Sequence, residues 1–178
     1  MPQFITEEEF DQAFRLFEHT AWRWEAQRGY DSDRHSEFYR VFLRGEEPVR
    51  DLERPWPRNI RAQTRAGKRI ERVRVLDDPP TEGQRYLLTG APYNMASGED
   101  IRHLSRAKAE ELGLPGWDFW LFDSRTVLRL HFDDQEQWLG AERIEDPVQV
   151  LAACQVRDAA WHFAIPHEEY SRLGTFVM

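Results

Sequence analysis

The chain has 178 residues, of which 40% are apolar and 13% aromatic, and a formal charge of −8. That length fits one domain able to bury enough surface to need no disulfide, and the single cysteine, Cys154, excludes an internal disulfide and a Cys-rich zinc site. No apolar run reaches membrane-spanning length, and residues 1–10 lack the basic and apolar regions of a secretory signal, so a cytoplasmic address with no membrane partner is expected.

The first predicted element is a helix. Thr6 and Glu9 have the spacing of a capping box. Phe10, Phe14, Phe17, Ala21 and Trp24 then recur at helical intervals, with Gly29 as the stop. A second helix is expected from Ser36 to Arg44, ended by Gly45. Pro48, Pro55 and Pro57 break the chain into loop. From Arg58 the period reads as two, which predicts strands at Arg58–Thr64 and Arg69–Leu76 around a turn at Ala66-Gly67. Residues 81–93 fit either a helix capped by Thr81 or a strand, and helix is preferred.

A short strand at Ile101–Leu104 and a helix at Arg106–Leu112 come next. The clearest hairpin pairs Asp118–Asp123 with Thr126–Phe132 across Ser124-Arg125, and Trp138–Ile144 is the next strand. Asp146 and Pro147 mark the N-cap and first position of a last helix. Val148, Leu151, Ala152, Val156, Ala159 and Phe163 are its expected buried stripe. Pro166 stops it, and Tyr170 begins the tail. This order predicts an α+β fold with a mainly antiparallel sheet built from hairpins, packed against an N-terminal and a C-terminal helix. The whole chain, 1–178, reads as one domain: a helical segment at 6–45, a sheet-containing segment at 58–145 and C-terminal helices at 146–173.

Charge is unevenly placed. Seven of the 24 basic residues lie between Arg58 and Arg74, with Glu71 as the one acid there, so this stretch carries about +6 on an acidic chain. In a hairpin, Ile60 would face Val73, and on the other side Arg61 would lie across from Arg72, with Arg74 beside Asn59. Like charges directly opposite destabilise a sheet. An external anion or a carboxylate of the chain itself should therefore offset them. Arg61, Arg72 and Arg74 are the candidate anion-binding residues, since guanidinium forks suit phosphate and carboxylate.

In the aromatic hairpin a two-residue turn would set Trp120 against Arg129 and Asp118 against His131. Trp120 and Arg129 form a candidate partner-binding patch through a cation–π contact. Asp118 and His131 are the one pair that resembles acid–base chemistry, and Asp133 and Asp134 follow. A structural cross-strand pair is the plainer reading of the same residues. His162, His167 and Glu168 approach one another beyond Pro166, but no metal site is assigned. The loop from Asn94 to Asp100 has neither Gly-x-Gly nor Gly-Lys-Ser/Thr, so no cofactor is expected.

Several strings together resemble an uncharacterised, single-domain family of actinobacteria: Arg72-Val73-Arg74-Val75, Asn94 with Ala96 to Arg102, Asp118-Phe119-Trp120-Leu121-Phe122-Asp123, Arg157-Asp158-Ala159-Ala160-Trp161, and Tyr170. Members of that family are commonly encoded near helix-turn-helix regulators. The resemblance implies one cytoplasmic domain and a role beside a transcriptional regulator. It carries over no reaction and no catalytic residue.

The expected function is a non-enzymatic regulatory or interaction protein acting with a protein partner such as a helix-turn-helix regulator. The alternative is a phosphodiesterase- or nuclease-like effector in which Asp118 orients His131, Asp133 and Asp134 hold a divalent ion, and the arginines bind phosphate. Direct nucleic-acid binding ranks last, because no recognition helix with a basic N-terminal face is evident.

Overall fold

The computed structural model describes residues 1–173. Helix α1 (Glu7–Leu16) starts as its capping box requires: Thr6 Oγ1 accepts from Glu9 N at 3.2 Å, and the Glu9 carboxylate accepts from Thr6 N at 2.8 Å. It stops at Leu16, well short of the expected Trp24. Thr20–Glu25 is instead strand β1, the centre of the sheet. The run Trp22-Arg23-Trp24-Glu25 alternates aromatic and charged residues, which is a period of two. Ala21 and Trp24 also happen to continue the helical spacing of Phe10, Phe14 and Phe17, so the two periods overlap.

After β1 come two short helices, α2 (Asp31–Arg34) and α3 (Glu37–Leu43), the latter capped by Ser36 and followed by Gly45 at φ +74°. Helix α4 (Pro55–Arg65) then replaces the first strand of the expected basic hairpin. Pro55 and Pro57 start this helix rather than break the chain, because a proline in the first turn loses no hydrogen bond. Ile60 is its one fully buried residue. The basic hairpin therefore does not exist. Strand β2 (Arg69–Leu76) pairs in parallel with β1 on one side and with β3 (Asp100–Ser105) on the other. Between them lies α5 (Glu82–Ala96), the helix preferred for 81–93, with its own capping box at Thr81 and Gln84.

Helix α6 (Arg106–Glu111) leads to strands β4 (Phe119–Phe122), β5 (Thr126–Phe132) and β6 (Trp138–Ile144), an antiparallel meander. Helix α7 (Pro147–Phe163), strand β7 (Ile165–Pro166) and helix α8 (His167–Arg172) complete the chain. Tyr170 thus lies inside a helix. The seven strands run in the order β6-β5-β4-β1-β2-β3-β7. The fold is mixed α+β and the sheet mostly antiparallel, but its centre is a parallel β1-β2-β3 unit.

The hairpin register differs by one residue from expectation. Phe122 pairs with Thr126, leaving a three-residue loop in which Asp123 and Ser124 have φ of 54° and 52°. A shift of one residue turns a strand over. Trp120 consequently pairs with Leu128, and Phe119 with Arg129.

Strand alternation sorts the core into two faces. Trp22, Trp24, Val73, Val75, Phe119 and Leu121 pack on one side with Val150, Ala153 and Ala160 of α7. Large rings on the sheet are met by small residues on the helix, so α7 approaches closely. Its expected stripe was right only in part: Val156 packs against this core, but Val148, Leu151 and Phe163 are 75%, 60% and 45% exposed. On the other side Ala21, Ile70, Trp120, Phe122, Leu128 and Leu130 pack with Phe14 and Phe17 of the N-terminal segment and Ile60 of α4. That second face also carries Arg23 and Glu25 of β1 and Arg72 and Arg74 of β2, whereas Arg69 and Glu71 lie on the first.

Candidate functional site

Pairing Arg23 with Arg72, and Glu25 with Arg74, puts four charged side chains of β1 and β2 on one face of the sheet, all of them nearly buried. Burying charge is costly unless it is paired. Glu25 answers for three arginines: it accepts from Arg72 Nη1 at 2.5 Å and from Arg74 Nε, and lies 3.9 Å from Arg23 Nε. Arg72 Nε also donates to Glu99 at 2.5 Å, and Arg74 Nη1 to the carbonyl of Leu87 at 3.0 Å. Burial pushes the Glu25 carboxyl up, but Arg74, Arg72 and Arg23 outweigh burial and hold it well below the ordinary carboxylate range. Burial opposes the charge on Arg72, and Glu99 and Glu25 reverse that effect and push its pKa up.

Asp118 closes the network. One carboxylate oxygen accepts from Ala26 N at 2.7 Å and Gln27 N at 3.0 Å; the other accepts from Arg23 Nη2 at 2.7 Å and the Tyr30 hydroxyl at 2.5 Å. Burial pushes this carboxyl up against the pull of Arg23. All four neighbours are donors, however, so a proton on either oxygen would have no acceptor to face. Five residues on, Asp123 does the same at the other end of β1. It accepts from the amides of Glu18, His19 and Thr20 at 2.8, 2.7 and 2.9 Å. The Asp-Phe-Trp-Leu-Phe-Asp string is therefore a pair of clamps on the two ends of the central strand.

Above this layer opens a cleft of about 540 Å³, with Arg23, Glu25, Arg72 and Trp120 among its lining residues. Phe10 and Phe14 of α1, Trp56 of α4, Tyr30, Phe132 and Trp138 also line it, with Ser32 and Asp33 of α2 and Leu87 of α5. The guanidinium carbons of Arg23 and Arg72 lie 5.6 and 5.7 Å from the centre of the Trp120 ring, so cations already occupy that ring. Arg23 is 5% exposed, and among the described residues its Nε and Nη1 have no hydrogen-bond partner. Burial, followed by the charge of Glu25, pushes Asp33 up to about 6.

Arginines 23, 72 and 74 balance Glu25, Glu99 and Asp118 in charge. They do not balance in hydrogen bonding, because each guanidinium carries five donors and no acceptor. Among the described residues of this layer that line the cleft, the unpaired atoms are the donors Nε and Nη1 of Arg23; the unpaired acceptor Glu99 Oε2 does not line it. The complementary group is an oxygen acceptor attached to an apolar or aromatic body.

Of the residues singled out from sequence, Arg72 and Trp120 line this cleft, and Asp118 and Arg74 hold its floor. Arg61 stands apart on α4, where it donates to the carbonyl of Leu52 and to Glu53 at 2.8 and 2.6 Å. Arg129 lies over Trp117 at 4.4 Å rather than over Trp120. His131 pairs with Glu142 at 3.1 Å, and Asp118 does not meet it. Asp133 turns back on its own loop, accepting from the amides of Gln135 and Gln137 at 2.8 and 2.9 Å. Among the described residues no group of three metal-ligating side chains forms. The expectations missed Arg23, Glu25, Tyr30, Asp33 and Trp56. The charged–aromatic alternation from Trp22 to Glu25 was the signal for the first two.

A family described as Domain of unknown function (DUF6879) matches residues 8–172, and the chain belongs to that family. No curated protein matches the chain. No described helix is long and apolar enough to cross a membrane.

Proposed function

We propose that this member of a family of unknown function is a non-enzymatic recognition protein. In this reading the cleft over Arg23 and Trp120 takes an aromatic or large aliphatic side chain with an adjacent carboxylate, presented by a protein partner such as a transcriptional regulator. The observation that carries it is the buried, half-paired guanidinium of Arg23 lining a cleft walled by aromatic rings. A buried donor left unpaired costs about 1–3 kcal/mol, and an oxygen from a partner recovers it. Aromatic walls supply the apolar contact area that anchors a bound side chain.

The phosphodiesterase-like alternative needs Asp118 and His131 together beside the arginines, and that pairing is absent. A displayed peptide library tests the recognition reading. Wild-type protein should enrich peptides with a ring or leucine next to Asp or Glu. Trp138→Ala, at the exposed rim of the cleft, should lose that enrichment while keeping its thermal midpoint. Enrichment that survives Trp138→Ala, or no enrichment at all, contradicts the assignment.

A further inference from the structure

The strings Arg69-to-Glu71 and Arg157-Asp158-x-x-Trp161 have no part in the cleft described above. They meet on the opposite face of the sheet, between α7 and the start of β1 and β2, and line a second cleft of about 580 Å³. Trp22 also lines it. Its indole is 1% exposed, and among the described residues Nε1–H has no acceptor. An indole N–H can only donate, so it is satisfied by an acceptor alone.

The other charged groups come in two pairs, Arg69 Nε with Glu71 at 3.6 Å and Arg157 Nε with Asp158 at 2.8 Å, and each arginine keeps further N–H groups beyond its pair. Arg157 Nη1 donates to Ser124 Oγ at 2.7 Å and its Nε to Asp158 at 2.8 Å, which fixes the guanidinium and leaves Nη2 to donate elsewhere. Arg69 is largely exposed at the mouth. The hydroxyl of Ser124, having accepted from Arg157, still has its proton to donate. These donors belong to separate elements, and a tetrahedral oxyanion accepts from several directions at once, unlike a planar carboxylate.

We propose that this second cleft binds a phosphate group, as inorganic phosphate or as a phosphate monoester, with Trp22, Ser124, Arg157 and Arg69 as its donors. Glu71 is the one half-buried acid in the cleft, and it suits the monoprotonated form, whose P–OH donates to it. Burial, with Asp100 adding to it, pushes the Glu71 carboxyl up, so hydrogen phosphate meets a carboxyl that gains from a donor. The site goes beyond the partner-binding cleft and stands or falls without it.

The test uses protein labelled with ¹⁵N at the tryptophan indoles, with Trp22→Phe to assign the resonance. Titration with inorganic phosphate at constant ionic strength should move the Trp22 Nε1–H signal downfield and to saturation. Arg157→Gln should weaken the apparent affinity at least tenfold, and so should Arg69→Gln to a smaller degree. A phosphomonoester such as glycerol phosphate in place of inorganic phosphate tells the two sources apart by which saturates at lower concentration; either result supports the site. Acetate and chloride should give no saturating shift. An unmoved Trp22 signal, or an equal shift in Arg157→Gln or with acetate, overturns the proposal. The peptide enrichment at Trp138 is insensitive to all of these changes.

Discussion

Arg23 Nη2 donates to Asp118 at 2.7 Å across the β1–β4 pair, with both side chains at most 7% exposed. This contact joins the parallel half of the sheet to its antiparallel half. It also holds the guanidinium whose Nε and Nη1 have no partner among the described residues.

Removing Asp118 leaves a buried guanidinium, a phenol and two backbone amides without their acceptor. Breaking one side of such a pair typically costs about 3–5 kcal/mol. Asp118→Ala should lower the stability from denaturant unfolding by that amount. Asp118→Asn, which restores two of the four acceptances, should lose less. A loss under about 1 kcal/mol for Asp118→Ala would show that the network is not structural.

The arginines of the basic stretch should differ sharply. Arg74 is 2% exposed and bonded to Glu25 and Leu87. Arg61 pairs with a largely exposed Glu53. Arg74→Ala is expected to cost about 3–5 kcal/mol, and Arg61→Ala less than about 1 kcal/mol. Equal effects in chemical denaturation would contradict the burial of one and the surface setting of the other.

Asp33 supplies a pH dependence. Its folded value of about 6 lies above an unfolded value of about 3.9. The folded state therefore holds the proton more tightly, and stability falls as pH rises from about 4 to about 6. Asp33→Asn should match wild type near pH 4 and be more stable, by on the order of 2 kcal/mol, at pH 7.5. The same titration acts on binding, because an ionised Asp33 repels an acidic partner. Peptide affinity should tighten from pH 7.5 to 5.5 in wild type and stay level in Asp33→Asn.

Asp123 acts in the opposite sense. Burial raises its carboxyl, but the amides of Glu18, Thr20 and His19 together lower it further. Its contribution is therefore present above the ordinary carboxylate range and lost as pH falls through the folded value. Asp123→Ala also places alanine at φ 54°, a left-handed conformation it disfavours. The expected cost is about 2–4 kcal/mol at pH 7, shrinking toward pH 3. A cost that does not change with pH would remove the carboxylate from the clamp.

Local signals carried the helices well. The caps expected at Thr6, Thr81 and Asp146 each accept the backbone amide three residues on, because capping depends on residues three apart in sequence, and Ser36 caps the helix it was expected to begin. What local signals do not hold is pairing. β1 was hidden because Ala21 and Trp24 fit a helical stripe and both faces of the strand are covered. α4 was hidden because its prolines read as breakers and its spaced arginines read as one face of a strand, although the helix is amphipathic about Ile60. Once α4 is a helix, Arg72 and Arg74 have new neighbours, Glu25 and Glu99, that lie 27 to 49 residues away in sequence. The carboxylate that a row of arginines demanded was present, but in the chain itself. Trp120 and Asp118 were legible as special, whereas the one-residue register that decides their partners rests on the turn at Asp123 and Ser124.

In the proposed reading the free donors of Arg23 receive an oxygen from a partner held between aromatic walls. The most direct measurement is the ¹⁵Nε–H resonance of Arg23 in the intact protein, followed while adding a short blocked peptide with one tryptophan flanked by aspartates. The expected result is a saturable downfield shift of that signal and slower exchange of its proton with water, both absent when lysines replace the aspartates. Binding that leaves the Arg23 signal in place, or that is indifferent to the aspartates, would contradict it.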